Sequence, residues 1–146
     1  MAAAISALTP ATLVLDGEVA IFDEQLRSRF DALRRRQMEM LATPPLLMAF
    51  DILYRDGADL TGRPLHDRRS VLEDVIAGSA FVLAARRLAA DGLEAWAEVI
   101  ERGYEGLVGK DDASTYHGGI ARSWLKVKVP GWTDPEDRWK RRLTAP

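Results

Sequence analysis

Three observations predict that the sequence forms one domain of mixed helices and strands. Residues 13–22, "LVLDGEVAIF", alternate between apolar and polar side chains, as a half-buried strand does. Residues 23–41 repeat apolar side chains at three- and four-residue steps, which is the period of an amphipathic helix. Residues 123–130, "SWLKVKVP", return to strict alternation. The order of elements alone allows either an α+β domain or a mixed α/β sheet.

The first half of the chain begins with a strand that carries two carboxylates. Asp16 and Glu18 share one face, because successive side chains on a strand alternate in direction. The opposite face is apolar, with Leu13, Leu15, Val19 and Ile21. The helix that follows ends at two prolines, and we interpret its arginines Arg34, Arg35 and Arg36 as solvated. Residues 46–54, "LLMAFDILY", then form an apolar strand that leads into the turn "RDGADL".

The second half repeats the alternation of helices and strands. After Pro64, "HDRRSVLEDVIAG" predicts a helix that ends at Gly78, and "AFVLAA" at 80–85 predicts a buried strand. Residues 92–103 predict a core-facing helix, whose buried stripe would be Leu93, Trp96, Ala97 and Ile100. Strands at 104–110 and 123–129 are joined by the loop "DDASTYHGGIAR", in which we interpret Tyr116 and His117 as surface turn residues. The residues from 131 onward show no convincing period.

Composition excludes several kinds of protein. A length of 146 residues with 47% hydrophobic residues suits a single domain with a real core. The absence of cysteine and the presence of only two histidines exclude disulfides and cysteine- or histidine-rich metal clusters. No run approaches the ~18 apolar residues of a membrane span, so we expect a cytoplasmic protein with no membrane association. The net charge of −2 argues against a general nucleic-acid binder, and any phosphate binding must therefore be local.

The strand at 123–129 poses a specific question. Trp124, Lys126 and Lys128 share one face, and we expect the apolar residues Leu125, Val127 and Val129 on the other face to join the core. Two like charges on one face repel each other unless water or an anion lies between them. From the residues alone, the lysine face is therefore either a solvated edge or a phosphate site.

Four stretches in a fixed order carry a family resemblance: "LDGEVAIFD", "MAFDILYRDG", "EGLVGKD" and "WLKVK". With the connector "DLTGRPLHDRRSVLEDV", they resemble the ATP-dependent DNA ligases within the covalent nucleotidyltransferase superfamily. The likeness runs from about residue 13 to residue 129. It implies an α+β, ATP-grasp-like adenylation domain, mostly antiparallel sheet with flanking helices. On this basis residues 1–130 are part of such a domain, and residues 131–146 are a tail without an OB domain.

The resemblance also implies a role for each site residue. Glu18 and Glu105 would lie at the nucleotide and metal site, where carboxylate oxygens suit Mg²⁺. Phe50 would stack on the adenine of ATP, although packing in the core is an equally good interpretation of that residue. The phosphates would be contacted by Lys110, Lys126 and Lys128. The implied partner is nicked double-stranded DNA, and the implied activity is nick sealing in DNA repair and recombination.

One part of the family pattern is missing. The family works through a covalent lysine-AMP intermediate whose lysine lies in a "KxDGxR" motif before "DGE". No lysine precedes Glu18 in this sequence. The segment "VLDGEV" has the spacing of that motif, but Val14 stands where the lysine belongs. Lys140 has no aspartate and glycine after it. We therefore expect a truncated adenylation domain that does not adenylate itself, and whose missing motif a separate chain would supply. The alternatives are a non-catalytic nucleotide- or partner-binding remnant, a decayed remnant without function, and an RNA ligase or capping enzyme, which the connector disfavours.

Overall fold

The structure, a computed structural model, describes residues 2–24, 28 and 43–132. Its elements are helix α1 (Ala2–Ser6), strands β1 (Leu13–Ala20), β2 (Leu46–Arg55) and β3 (Ala58–Asp59), helix α2 (Leu65–Ile76), strand β4 (Val82–Ala84), helix α3 (Gly92–Arg102), and strands β5 (Gly106–Lys110) and β6 (Trp124–Lys128). The helix predicted at 23–41 lies largely outside the described residues, as does the tail from 133 onward. None of the helices in the described ranges has the length and apolar character needed to cross a membrane.

The chain divides into two compact units. The first consists of residues 1–87 and 110–124, and the second of residues 88–109 and 125–146. The predicted strands of the first half are present in the first unit, with bounds close to those expected. The prediction of an α+β domain with a mostly antiparallel sheet is confirmed.

Strand β2 is the centre of the sheet in the first unit. It pairs antiparallel with β1 along its length, from Leu13 opposite Arg55 to Ala20 opposite Leu46. It also pairs antiparallel with β3 through a two-residue turn, and parallel with β4. The turn residues Asp56 and Gly57 have φ values of 46° and 90°, which is the left-handed conformation that Asp-Gly favours in tight hairpins. The predicted turn "RDGADL" is therefore a β-hairpin.

Helix α2 covers one face of this sheet and completes the core. The cluster of buried side chains comprises Ala49, Ile52, Leu60, Leu72, Val75, Ile76 and Val82. The helix ends at Ile76, and Gly78 just beyond it has a φ of 77°, which confirms the predicted end of this helix. Strand β4, predicted as buried, has Val82 fully buried at its start.

Helix α3 forms in the second unit as predicted, but its buried face is different. Asp91 accepts hydrogen bonds from the backbone N–H groups of residues 93 and 94, and Gly103 ends the helix with a φ of 65°. The buried residues are Ala95 and Val99, whereas Leu93 is 82% exposed. The predicted stripe was therefore wrong by a rotation of roughly 130° around the helix axis. Apolar spacing showed that the segment is a helix, but which face is buried depends on the surface that packs against it.

Strands β5 and β6 form a two-stranded sheet. Backbone hydrogen bonds from Val129 to Glu105 and from Asp111 to Ser123 show that the two strands run antiparallel. The expectation that one face of β6 joins the core was wrong, since Leu125 is 66% and Val127 is 43% exposed. A two-stranded sheet buries a face only where another layer covers it, and among the described residues these two side chains have no such cover.

A buried ion pair joins β2 to α2. Arg68 donates from Nε to Oδ1 of Asp51 at 2.9 Å and from Nη2 to Oδ2 at 2.7 Å, and both side chains are fully buried. Nη1 of Arg68 donates to the carbonyl oxygens of Arg63 and Ser114. The carboxylate and guanidinium therefore have several hydrogen-bond partners each, as buried charges require.

We predict that Asp51→Asn lowers the free energy of unfolding by about 3–5 kcal/mol, because it leaves a buried guanidinium without its counter-charge. Urea denaturation followed by circular dichroism measures the change. The control is Arg87→Gln, which breaks an exposed ion pair with Glu73 and should cost less than about 1 kcal/mol. Equal losses in the two variants would contradict the prediction.

Candidate functional site

The "DGE" segment of β1 is irregular at its glycine. The register with β2 shifts between Asp16 and Gly17, as at a β-bulge. A Cβ atom at Gly17 would lie 2.5 Å from the carbonyl oxygen of Met48, so only glycine allows the two backbones to approach this closely. The two flanking carboxylates differ in environment, since Asp16 is half-buried and Glu18 is exposed.

Tyr116 belongs to the packed part of the first unit, so its interpretation as a surface turn residue was wrong. Burial, followed by the charges of Asp16 and Asp51, raises the pKa of its phenol. Its backbone N–H donates to the carbonyl oxygen of Thr61 at 2.8 Å. Tyr116 therefore attaches the loop between β5 and β6 to the segment that follows β3. His117, in contrast, is exposed as expected.

Lys110 lies among aromatic rings in the same unit. Its Nζ is 3.7 Å from the centroid of the Trp124 ring and 5.7 Å from that of Phe50. Burial lowers the pKa of Lys110, and the carboxylates of Asp51 and Asp16 partly oppose that effect. The structure thus brings two predicted site residues, Lys110 and Phe50, close together, and Phe50 itself is half-buried.

A second group of predicted site residues comes together in the second unit. Oε1 of Glu105 lies 2.6 Å from Nζ of Lys128 and 3.5 Å from Nζ of Lys126. The hydrogen bond from Lys128 is the main reason that the pKa of Glu105 lies below its ordinary value, and the charge of Lys126 contributes to the same effect. The anion that separates the two lysines is therefore a carboxylate of the protein itself.

A close approach of two backbones explains the glycine of "EG". A Cβ atom at Gly106 would collide with the carbonyl oxygen of Val127, so only glycine lets β5 lie this close to β6 at that position. That close approach places Glu105, immediately before the strand, beside the lysines of β6. The motif "EGLVGK" and the motif "WLKVK" therefore form one local structure.

A preformed metal site is not found among the described residues. No group of three or more histidine, aspartate or glutamate side chains in those ranges could hold a metal ion. Glu18 is exposed, and Glu105 already forms ion pairs with two lysines. An open depression of about 520 Å³ lies along the loop between β5 and β6, lined by Ala113, Ser114, Thr115, His117, Ile120, Ala121, Arg122 and Ser123. None of the predicted site residues lines it.

Sequence reasoning missed the residues that support Lys110. Trp124 was predicted on the lysine face of β6, but no role was predicted for it. No contact was predicted for Asp51 or Arg68. One available signal was an aspartate inside the apolar strand "LLMAFDILY", because a charge buried there requires a partner. The partner was present in "HDRRS", 17 residues further along the chain.

The comparison with known families agrees with the four motifs. The profile of the ATP dependent DNA ligase domain matches residues 1–128 of this chain. The chain therefore belongs to the ATP-dependent DNA ligase family.

Three relatives with known names are a DNA ligase and two larger end-joining proteins. The chain is 31% identical over 132 residues to the multifunctional non-homologous end joining protein LigD of Pseudomonas aeruginosa, covering 84% of this chain and 16% of that protein. It is 35% identical to the LigD protein of Mycolicibacterium smegmatis, with 85% and 16% covered. It is 34% identical to DNA ligase 1 of Methanosarcina acetivorans, with 80% and 23% covered. The chain thus spans less than a quarter of each of these relatives.

Solved structures support the same fold. The ligase domain of LigD from M. tuberculosis superposes with a TM-score of 0.68 at 33% identity, covering 80% of this chain and 37% of that one. A mycobacterial DNA ligase D complexed with ATP and MES superposes with a TM-score of 0.69 at 33% identity, covering 80% and 38%. The predicted nucleotidyltransferase fold of a ligase adenylation domain is confirmed.

We predict that Lys128→Ala raises the pKa of Glu105 more than Lys126→Ala does, because Lys128 is the closer of the two cations. A folded-state pKa below the ordinary value of 4.5 keeps Glu105 charged as pH falls toward that lowered pKa, so losing Lys128 moves protonation to higher pH. NMR titration of the glutamate side-chain carboxyl measures the shift. Asp59 is an internal control, since its lowered pKa comes from Thr61 and should not change.

Proposed function

We propose that this chain binds ATP or AMP as part of the adenylation domain of an ATP-dependent DNA ligase. The observation that carries the proposal is the pair of lysines on β6, Lys126 and Lys128, which meet on a single carboxylate of Glu105. Two ammonium groups that converge on one anion are arranged to hold a phosphate oxygen in the same way. Family membership supports a nucleotide as the source of that phosphate.

A phosphate can replace the Glu105 carboxylate because the ion pairs of Glu105 with Lys126 and Lys128 are accessible. The Lys126 and Lys128 side chains are 61% and 55% exposed, and that of Glu105 is 36% exposed. Ion pairs at this exposure contribute little stability, so a phosphate can replace the carboxylate at small cost. A phosphate also carries more acceptor oxygens and more charge than the carboxylate that it replaces.

Phe50 and Lys110 are the candidate nucleotide contacts within the first unit. The Phe50 ring is half-buried on β2, and it has an aromatic face for stacking on adenine, a contact worth about 1 kcal/mol beyond area burial. Lys110 is proposed to contact a phosphate. The resemblance to ligases supports both roles.

Magnesium is proposed to bind together with the nucleotide. Mg²⁺ keeps several waters and commonly takes one or two carboxylates together with phosphate oxygens. Glu18 and Glu105 are the candidate carboxylates. Glu105 becomes available to a metal ion only when Lys126 and Lys128 bind a phosphate in its place. When bound, the ion would neutralise charge on the phosphates.

Nick sealing in double-stranded DNA, in repair and recombination, is proposed as the activity of the whole ligase to which such a domain belongs. These 146 residues contain no "KxDGxR" sequence, so the nucleophilic lysine must come from elsewhere, such as a separate chain. A cytoplasmic location is proposed on the same family ground. The RNA ligase and capping alternatives lose support, because the matching family and the named relatives are DNA ligases.

We predict that Lys126→Ala/Lys128→Ala weakens ATP binding by at least about tenfold, since the loss of even one charge-assisted hydrogen bond costs about 1.5–3 kcal/mol. Isothermal titration calorimetry with ATP measures it. The matched control is Arg87→Ala/Arg102→Ala, which removes the same charge from two other exposed ion pairs. No binding of millimolar ATP by the folded parent chain would refute the proposed function.

We also predict that the chain alone forms no covalent lysine-AMP adduct with ATP and magnesium. Attack on the α-phosphate needs an uncharged amine, and an ordinary lysine has a pKa near ~10.4. Lys126 and Lys128 must stay charged to hold a phosphate. Denaturing electrophoresis with α-labelled ATP and intact-mass spectrometry test this prediction. A stoichiometric adduct on any of the four lysines would show that the chain supplies its own nucleophile.

A further inference from the structure

Lys110 is held differently from the two lysines of β6. Its ammonium lies over the face of Trp124 at 3.7 Å, with the Phe50 ring further away at 5.7 Å. Within the part of the chain that the structure describes, no carboxylate lies within ion-pair distance of Lys110, whereas Lys126 and Lys128 both contact Glu105. Lys110 is thus a half-buried cation whose close neighbours in the described ranges are aromatic rings.

This environment leaves the ammonium available to an anion. An aromatic face attracts a cation through the ring quadrupole but offers no conventional acceptor oxygen. The N–H bonds that point away from Trp124 therefore remain able to donate to a ligand. A carboxylate in the place of the ring would compete with that ligand, as Glu105 does for Lys126 and Lys128.

The plane of the Trp124 ring is itself fixed by neighbours in the first unit. Tyr116 packs edge-on against it, with ring centroids 6.0 Å apart and an interplanar angle of 77°. Tyr116 is held by the hydrogen bond from its backbone N–H to the carbonyl oxygen of Thr61 and by the partial burial of its side chain. Arg68, locked in the buried ion pair, lies 5.9 Å from the Tyr116 ring centroid. The ring under Lys110 is therefore part of the packed framework.

We propose that Trp124 is a positioning residue, which holds the Lys110 ammonium on its ring face and presents it to a nucleotide phosphate. The inference rests on the proposed function and adds a residue for which no role was predicted. Trp124 does not touch the nucleotide in this proposal. It acts through Lys110, so its removal should affect phosphate recognition and leave adenine recognition unchanged.

The first experiment tests the contact without any ligand. NMR of the Lys110 side chain should show its ε-methylene protons shifted upfield by the ring current of Trp124. The shift should be lost in Trp124→Leu and reduced in Trp124→Phe, which keeps a smaller ring face. Trp132→Leu removes a different partly exposed tryptophan and should leave the Lys110 signals unchanged.

The second experiment compares ATP with adenosine by calorimetry. Trp124→Leu should weaken ATP binding about fivefold, the worth of a partly buried cation–π contact, and leave adenosine binding unchanged. Lys110→Met should lose at least as much affinity for ATP. Adding Trp124→Leu to Lys110→Met should cause little further loss, because both changes remove the same interaction.

The outcomes separate this inference from the proposed function. If the parent chain binds ATP and Trp124→Leu binds it equally well, the positioning role is overturned while the proposed function stands. Unshifted Lys110 signals in the parent chain would also overturn it. If the folded parent binds no ATP, the proposed function fails and the positioning role fails with it. Should Trp124→Leu not fold, Trp124→Phe decides, since it should keep the fold and lose an intermediate amount of ATP affinity.

Discussion

The first unit depends on the buried ion pair between Asp51 and Arg68. Two fully buried charges are expensive to remove from water, and they are tolerated only when geometry and hydrogen bonds compensate for the lost hydration. Here the guanidinium donates two hydrogen bonds to one carboxylate, and its other terminal nitrogen donates to two backbone carbonyl oxygens. One of those carbonyls belongs to the connector before α2, and the other to the loop between β5 and β6. A single arginine therefore joins α2 to β2 and to the loop between β5 and β6, with partners 17 and 46 residues away along the chain.

Arg68 and its neighbours also determine where the loop between β5 and β6 lies. Ser114 accepts from Arg68, and the backbone N–H of Tyr116, two residues later, donates to the carbonyl oxygen of Thr61. His66, near the start of α2, donates its backbone N–H to the carbonyl oxygen of Asp112. With the loop held at these points, Trp124 is placed beside Tyr116, and its ring face is placed under Lys110. The small, polar loop, which the sequence presented as surface, thus supports part of the candidate site.

The two groups of candidate residues solve the same electrostatic problem in different ways. A lysine that is proposed to contact a phosphate needs to be kept in place before the phosphate arrives. For Lys126 and Lys128 a carboxylate does this, and a ligand must displace it. For Lys110 aromatic rings do this and leave hydrogen-bonding capacity free. The first arrangement is weak because it is exposed, whereas the second is half-buried.

The sequence by itself determined the identity of most elements and the family. Alternation identified β1 and β6, apolar runs identified β2 and β4, and helical spacing with glycine ends identified α2 and α3. The order of four motifs pointed to the ATP-dependent DNA ligases, and the profile match agrees. The signals for the individual elements are local, since each depends on a short window of residues.

Only the tertiary structure decided which faces are buried and which charges meet. It turned Leu93 outward and Val99 inward, it left Leu125 exposed, and it paired Lys128 with Glu105. It also brought Asp51 to Arg68 and Lys110 to Trp124. The physical reason is that burial and ion pairing depend on which surfaces dock, and docking joins residues whose separation along the chain carries no periodic signal.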